Sequence, residues 1–189
     1  IHLPIFTLPQ LHSSEKDYLY FLGRVGLQKR FSKIHVPIDK KTYWFRLEYE
    51  LNVITSMGFS NYFLVVQDFV NWSKNHSIRV GPGRGSGSGS LLSYSLGITD
   101  INPLEYNLLF ERFLNPERIT MPDIDIDFMQ EKRMDIIYYI ASIYGDTNVA
   151  QIVTYSEWTP KSIIKDMANY SYPLLSVQSR KPFWSFFRY

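Results

Sequence analysis

Apolar side chains recur at helical spacing through most of the first half of the chain. Tyr18, Phe21, Leu22 and Val25 mark one stripe, Ser13 or Ser14 can cap it, and together they predict a helix over about residues 14–31. From Thr42 the spacing of Leu47, Leu51 and Ile54 predicts a second helix, closed by Gly58 in the left-handed region. Asn61 can open a third, with Val65, Phe69 and Trp72 on its stripe. Residues 78–80 then read as a short strand that enters GPGRGSGSGS at 81–90, followed by LLSYSLG at 91–97, apolar enough for a buried helix closed by Gly97. Pro103 can begin a helix to about residue 113, since Leu104, Leu108 and Leu109 share a face. Residues 123–128 alternate aspartate with apolar side chains at period two, which no helix produces. A helix over about 130–144, a compact apolar strand in VAQIVTY at 149–155, and a last helix from Thr159 or Pro160 to about 168 complete the pattern. Interspersed helices and strands predict an α+β fold. Beyond Asn169 neither period holds, and aromatic residues accumulate.

Composition narrows the chemistry. The 189 residues are 45% apolar, enough for one sizeable core and too many for intrinsic disorder. No run of roughly 18 apolar residues occurs, and the first residues lack a basic stretch and a small-residue cleavage site, so the expected location is cytoplasmic, without a membrane partner. With no cysteine and only four scattered histidines (His2, His12, His35, His76), thiol nucleophiles, disulfides and Cys/His zinc sites drop out. Any metal must be held by carboxylates. The net charge is only +2, but residues 61–128 carry eight Asp/Glu against five Lys/Arg, while the flanking segments are mildly basic. That imbalance fits an acidic metal site flanked by phosphate-facing surface, and equally a set of solvated faces.

Two constellations carry chemistry. On a strand, Asp123, Asp125 and Asp127 share one face at roughly 6.5–7 Å intervals. Such a row is costly without a counter-charge, and Mg²⁺ suits hard oxygen ligands; two ions could serve phosphoryl transfer. The other reading is an amphipathic strand with a solvated acidic face. The second constellation is the glycine-rich turn, whose backbone amides can approach a phosphate, with the following helix N-terminus adding its dipole. Arg84 could add a planar fork and Ser86 a hydroxyl. It is no Walker loop, for the lysine of that motif is missing, and the alternative is a flexible Gly/Ser linker. Arg112 and Arg118 in FERFLNPER could reach a triphosphate or pair with Glu111 and Glu117 at the surface. Lys161 and Lys165, four apart, could meet a nucleic-acid backbone or simply be solvated.

The run GPGRGSGSGSLLSYSLGITDINPLEYNLLFERFLNPERITMPDIDIDF at 81–128 closely resembles the palm of C-family bacterial replicative DNA polymerases, the DNA polymerase III alpha subunits. The resemblance extends upstream through RLEYELNVITSMGFSNYFLVVQDFVNWSKNHSIRVG and, more weakly, EKDYLYFLGRVGLQKRF, and downstream through AQIVTYSEWTPKSIIKDMA. It implies a polymerase beta-like nucleotidyltransferase palm, a mixed sheet flanked by helices, in which an aspartate pair holds two Mg²⁺ ions. These would activate a primer 3′-hydroxyl and clamp a deoxynucleoside triphosphate. By motif, Asp123 and Asp125 resemble the catalytic, metal-binding pair, with Asp127 as a neighbouring metal candidate. Arg84, Gly85 and Ser86 are similar to the triphosphate cradle, and Arg112 matches a family arginine beside it. Implied partners are primer–template DNA, deoxynucleoside triphosphates and other subunits of the replicative holoenzyme.

The resemblance also implies boundaries: a partial palm over 1–155, the start of a thumb-like region over 156–168 and an unmatched tail over 169–189. Gly87 and Ser88 stand where small residues are usual, a mild departure. Ser156, Glu157, Trp158 and Pro160 replace a glycine-containing stretch, which puts contacts near Lys161 in question. The family's third catalytic carboxylate belongs to a later palm strand, so the expected site is partial. A domain of this length has a radius of gyration of about 16 Å, too small to wrap a primer–template, and processive replication by the isolated chain is not expected. The tail is what a truncated or frameshifted gene would leave. Two other readings stay open: a small standalone nucleotidyltransferase using Asp127 as its extra acid, and a catalytically inactive interaction module whose partner meets Phe183, Trp184, Phe186, Phe187 and Tyr189.

Overall fold

The capping and charge pattern of the first helix shows how local chemistry sets its limits. In a computed structural model that describes residues 4–34, 37–115, 117, 121–152, 155, 157 and 159–171, helix α1 spans Glu15–Phe31. The Ser14 side chain accepts from the Asp17 amide at 3.2 Å, acidic Glu15 and Asp17 sit at its positive end, and Lys29 and Arg30 sit at the other. Helix α2 (Lys40–Ser56) is capped by Asp39, whose carboxylate accepts from the Lys41 amide and the Thr42 hydroxyl. It buries Leu47, Leu51 and Ile54 and ends at Gly58 with φ +77°, both as the sequence predicts. Helix α3 covers Ser60–Asn75, but Asn61 does not cap it: its side chain accepts from the Phe6 amide at 2.8 Å and donates to the Pro4 carbonyl.

The chain divides into two compact units, Ile1–Ala150 and Gln151–Tyr189. In the first, α1 and α2 pack on the short helix α4 (Leu91–Ser95), every residue of which is buried, and α3 packs on α1. The core faces of α1 and α3 differ from the expected stripes. On α1 the buried residues are Leu19, Gly23, Leu27 and Phe31, while Phe21 and Val25 are exposed. The reason is steric: a Cβ on Gly23 would lie 2.9 Å from Leu92 Cδ1, and one on Gly26 would run into the Ser95 carbonyl. The glycines are the contact surface for α4. On α3 the innermost residues are Phe63, Leu64, Val66 and Val70, while Val65, Phe69 and Trp72 form a half-buried flank. That flank meets helix α5 (Arg133–Tyr144), with Trp72 stacked on Tyr139 at 4.2 Å between ring centroids.

The expected mixed-sheet palm is not what the described residues form. They are helical, and their only β pairing is an isolated antiparallel bridge between Val80 and Phe128. Two hydrogen bonds flank it, from the Gly81 amide to the Asp127 carbonyl at 2.8 Å and from the Met129 amide to the Arg79 carbonyl at 3.0 Å. Period two sets the direction of side chains along 123–128, but a ladder needs backbone partners, and these residues find them only at one end. The apolar strand expected at 149–155 is also not observed among its described members: Ile152 and Tyr155 are 91% and 92% exposed. The helix expected from Pro103 is reduced to turns. Asn102 Oδ1 accepts from the Leu104 amide, Asn107 adopts φ +51°, and only Phe110–Arg112 form a 3-10 turn. The 130–144 helix begins as a 3-10 turn at Gln130–Lys132 before α5.

In the second unit, helix α6 spans Pro160–Ser171, and Thr159 Oγ1 accepts from the Ser162 amide at 3.2 Å. The tail beyond residue 171 lies outside the described residues, as do Arg118, Ser156, Trp158 and the Lys165 side chain. Among the described residues, no helix is long and apolar enough to cross a membrane.

Candidate functional site

The glycine-rich turn is packed on both sides, which removes the flexible-linker reading. Gly81 is held by the Asp127 carbonyl, and the Pro82 carbonyl accepts from the Asp100 amide at 2.7 Å. Ser86–Gly89 form a 3-10 turn with Gly87, Ser88 and Gly89 buried. Gly87 faces Ile124 and Phe113, and a Cβ on Gly89 would stand 2.8 Å from the Leu109 carbonyl oxygen. Gly85, with φ +65° and ψ −157°, takes a backbone conformation essentially reserved for glycine.

This geometry brings the two constellations together. A Cβ on Gly85 would meet Asp125 Oδ2 at 2.7 Å, so turn and carboxylate are in direct apposition. Arg84 spans the carboxylate row, with Nη1 3.1 Å from Asp125 Oδ2 and Nε 3.1 Å from Asp127 Oδ2. All three side chains are more than a third exposed, so the ion pairs are screened by water and weak as stability elements. Asp123 is exposed at the start of the segment. Its charge, after burial and against a hydrogen bond from the Ile124 backbone, helps to raise the pKa of the Tyr62 phenol.

Gly85, Ser86 and Gly89 form one wall of an open cleft of about 530 Å³, and Asn107, Leu108 and Arg112 form the other. Three of the four residues expected at a triphosphate thus share one cavity, and the fourth, Arg84, flanks it on the carboxylates. Glu111, a possible surface partner of Arg112, instead accepts from the Tyr49 hydroxyl at 3.1 Å.

One expectation is corrected. The dipole of α4 does not face a phosphate, because the buried Glu50 carboxylate occupies its first amides, accepting from Leu91 and Leu92 at 2.9 and 3.0 Å and from the Ser90 hydroxyl at 2.9 Å. Arg46 completes the cluster with Nε 2.7 Å from Glu50. Burial pushes the Glu50 carboxyl up, and the Leu92 and Leu91 amides and Arg46 oppose that shift. The sequence does hold a signal for this pair: Arg46 and Glu50 are four apart, and Glu50 falls on the Leu47, Leu51, Ile54 stripe, where a carboxylate must find partners.

Hard oxygen donors are the chemistry Mg²⁺ requires, and Asp125 presents one against a glycine where no side chain intervenes. Arg84 already pairs with these oxygens, so a divalent ion there would compete with its guanidinium. Among the described residues, no group of three or more acidic or histidine side chains converges as a metal site, so any site built here draws on one or two of these carboxylates. Lys161 belongs to the second unit and has contacts of its own.

The family model for the bacterial DNA polymerase III alpha NTPase domain matches residues 17–180. The chain is 51% identical over 166 residues to the DNA polymerase III subunit alpha of Aquifex aeolicus, covering 88% of this chain and 14% of that protein. It is 52% identical over 175 residues to that of Rickettsia bellii, covering 88% and 15%, and 46% identical over 191 residues to that of Buchnera aphidicola, covering 95% and 16%. The chain therefore spans about one seventh of the length of the curated relatives it matches.

Proposed function

Because the chain belongs to the family of bacterial DNA polymerase III alpha subunits, we propose that it carries the nucleotide-transfer site of a DNA-directed DNA polymerase acting in DNA replication. The substrates are a primer–template and deoxynucleoside triphosphates, and in the whole protein the partners are other holoenzyme subunits. The observation that carries this reading is the apposition of Asp125 with Gly85, on the rim of the cleft that Ser86 and Arg112 also line.

Asp123 and Asp125 would hold Mg²⁺, with Asp127 beside them. Bound there, Mg²⁺ supplies charge neutralisation for phosphoryl transfer and lowers the pKa of an attacking hydroxyl. The chain's own residues do the positioning. Gly85 lets the backbone approach without a side chain in the way, Ser86 offers a hydroxyl donor, and Arg112 offers a planar fork for phosphate oxygens across the cleft. Arg84 balances the carboxylates before substrate enters. The backbone bond between Gly81 and Asp127 keeps turn and carboxylate row in register.

The test uses a full-length polymerase of this family carrying this sequence. Asp123→Asn and Asp125→Asn each abolish nucleotide incorporation and leave primer–template affinity unchanged. Incorporation at the parent rate by Asp125→Asn would sink the reading.

A further inference from the structure

Arg46 touches neither Asp125 nor the interior of the cleft, yet it reaches both cleft walls. Its Nη2 donates to the Gly89 carbonyl at 3.1 Å and to the Leu108 carbonyl at 3.2 Å, while Nε donates to Glu50. Gly89 belongs to the glycine-rich wall and Leu108 to the wall that carries Asn107 and Arg112. Glu50, with no exposed surface, in turn holds Ser90, Leu91 and Leu92, the residues that follow the turn.

A single ion pair on one turn of α2 therefore anchors the glycine-rich wall, through Gly89 and the three residues that follow it, and the opposing wall through Leu108. A guanidinium does this because its donors lie in one rigid plane and serve several acceptors together, whereas an ammonium is a compact point charge. Neither wall has a strand ladder to fix its place, since the described residues contain only the isolated bridge at Val80 and Phe128.

We propose that Arg46, fixed by Glu50, is a positioning residue that sets the width of the cleft and so the affinity for the triphosphate. The inference rests on the reading of that cleft as the nucleotide site. It assigns to α2 a part in substrate binding that neither the turn nor the aspartate row supplies. Losing the fork while keeping the charge should loosen the cleft without disturbing the reacting groups or the DNA contacts.

The experiment compares Arg46→Lys with the parent in a full-length polymerase of this family, measuring KM for the deoxynucleoside triphosphate, kcat, primer–template Kd and thermal midpoint. The expected result is a KM raised by about tenfold, the scale of one lost charge-assisted hydrogen bond, with kcat and primer–template Kd unchanged. Ser90→Ala, which removes one Glu50 contact on the turn side together with the side-chain cap that accepts from the Ser93 amide of α4, should raise KM by a smaller factor, and it carries the test if Arg46→Lys does not fold. An unchanged KM in a folded variant, or a KM and Kd that worsen together with the thermal midpoint, overturns the proposal. Asp125→Asn separates the two readings. If it abolishes incorporation while Arg46→Lys leaves KM alone, only the role of Arg46 falls; if it leaves incorporation intact, the nucleotide-site reading falls as well.

Discussion

Gly85 and Asp125 stand so close that a methyl group on the glycine would lie 2.7 Å from Oδ2 of the aspartate. The glycine also holds φ +65° and ψ −157°, a region that costs an L residue about 1–3 kcal/mol. Gly85→Ala therefore acts twice, by straining the turn and by displacing the carboxylate. Urea denaturation of the chain should show a loss of stability within that range. Unchanged stability would mean that the turn relaxes around the methyl group and that the apposition is not fixed.

Arg84 offers the opposite combination, little stability and a large effect on cation affinity. Its pairs with Asp125 and Asp127 are open to solvent, so Arg84→Gln should change folding stability by less than about 1 kcal/mol. The same guanidinium competes for the oxygens a divalent ion would use. Titration with Mn²⁺ followed by electron paramagnetic resonance should show tighter binding to Arg84→Gln than to the parent, with the difference shrinking as salt is added. Equal affinities would place the cation elsewhere.

Gly26 reverses the usual effect of replacing a helical glycine. At an exposed helix position Gly→Ala stabilises by roughly 0.5–1 kcal/mol. Here the added Cβ would meet the Ser95 carbonyl, 2.7 Å from its carbon, and a backbone group inside a buried helix cannot swing away. Gly26→Ala should destabilise the chain by about 1–3 kcal/mol, read as a lower urea midpoint. A raised midpoint would show that α1 and α4 are less tightly packed.

That contact also marks where the sequence could and could not be read. The presence of α1, α2 and α3 follows from Ser14, Gly58 and apolar spacing, all of which are local, but α2 begins at Lys40 behind an Asp39 cap rather than at Thr42, and Asn61 does not cap α3. The buried face of α1 does not follow from them, because Gly23 and Gly26 count as gaps in an apolar pattern although they are its closest contacts with α4. Glycine content and carboxylate spacing mark the turn and the aspartate row as two separate constellations, and only the family resemblance implies a common site; the approach of Gly85 to Asp125 is tertiary. The sheet expected around them was not legible either, since pairing depends on partners that period two says nothing about, and the described residues supply one bridge. The use of the α4 amides by Glu50 is likewise tertiary, set by a side chain some forty positions upstream.

Asp100 ties α1 and α3 to the loop after α4 and should make the fold sensitive to acid. Burial alone would raise its pKa, but hydrogen bonds from Arg30 and Lys74 outweigh burial and hold it below the usual aspartate range. A depressed folded pKa means that the unfolded chain binds the proton first. The carboxylate therefore contributes stability that is fully present above about pH 4 and is lost as pH falls through its lower folded value. With the side chain 42% exposed, solvent screening keeps that contribution below about 1 kcal/mol. Asp100→Asn should lower stability at pH 7 by a similarly small amount and flatten the dependence of stability on pH below pH 4. The check is a series of urea melts from pH 7 to pH 3 on both proteins, where curves that stay parallel throughout would show that Asp100 titrates alike in the folded and unfolded chain.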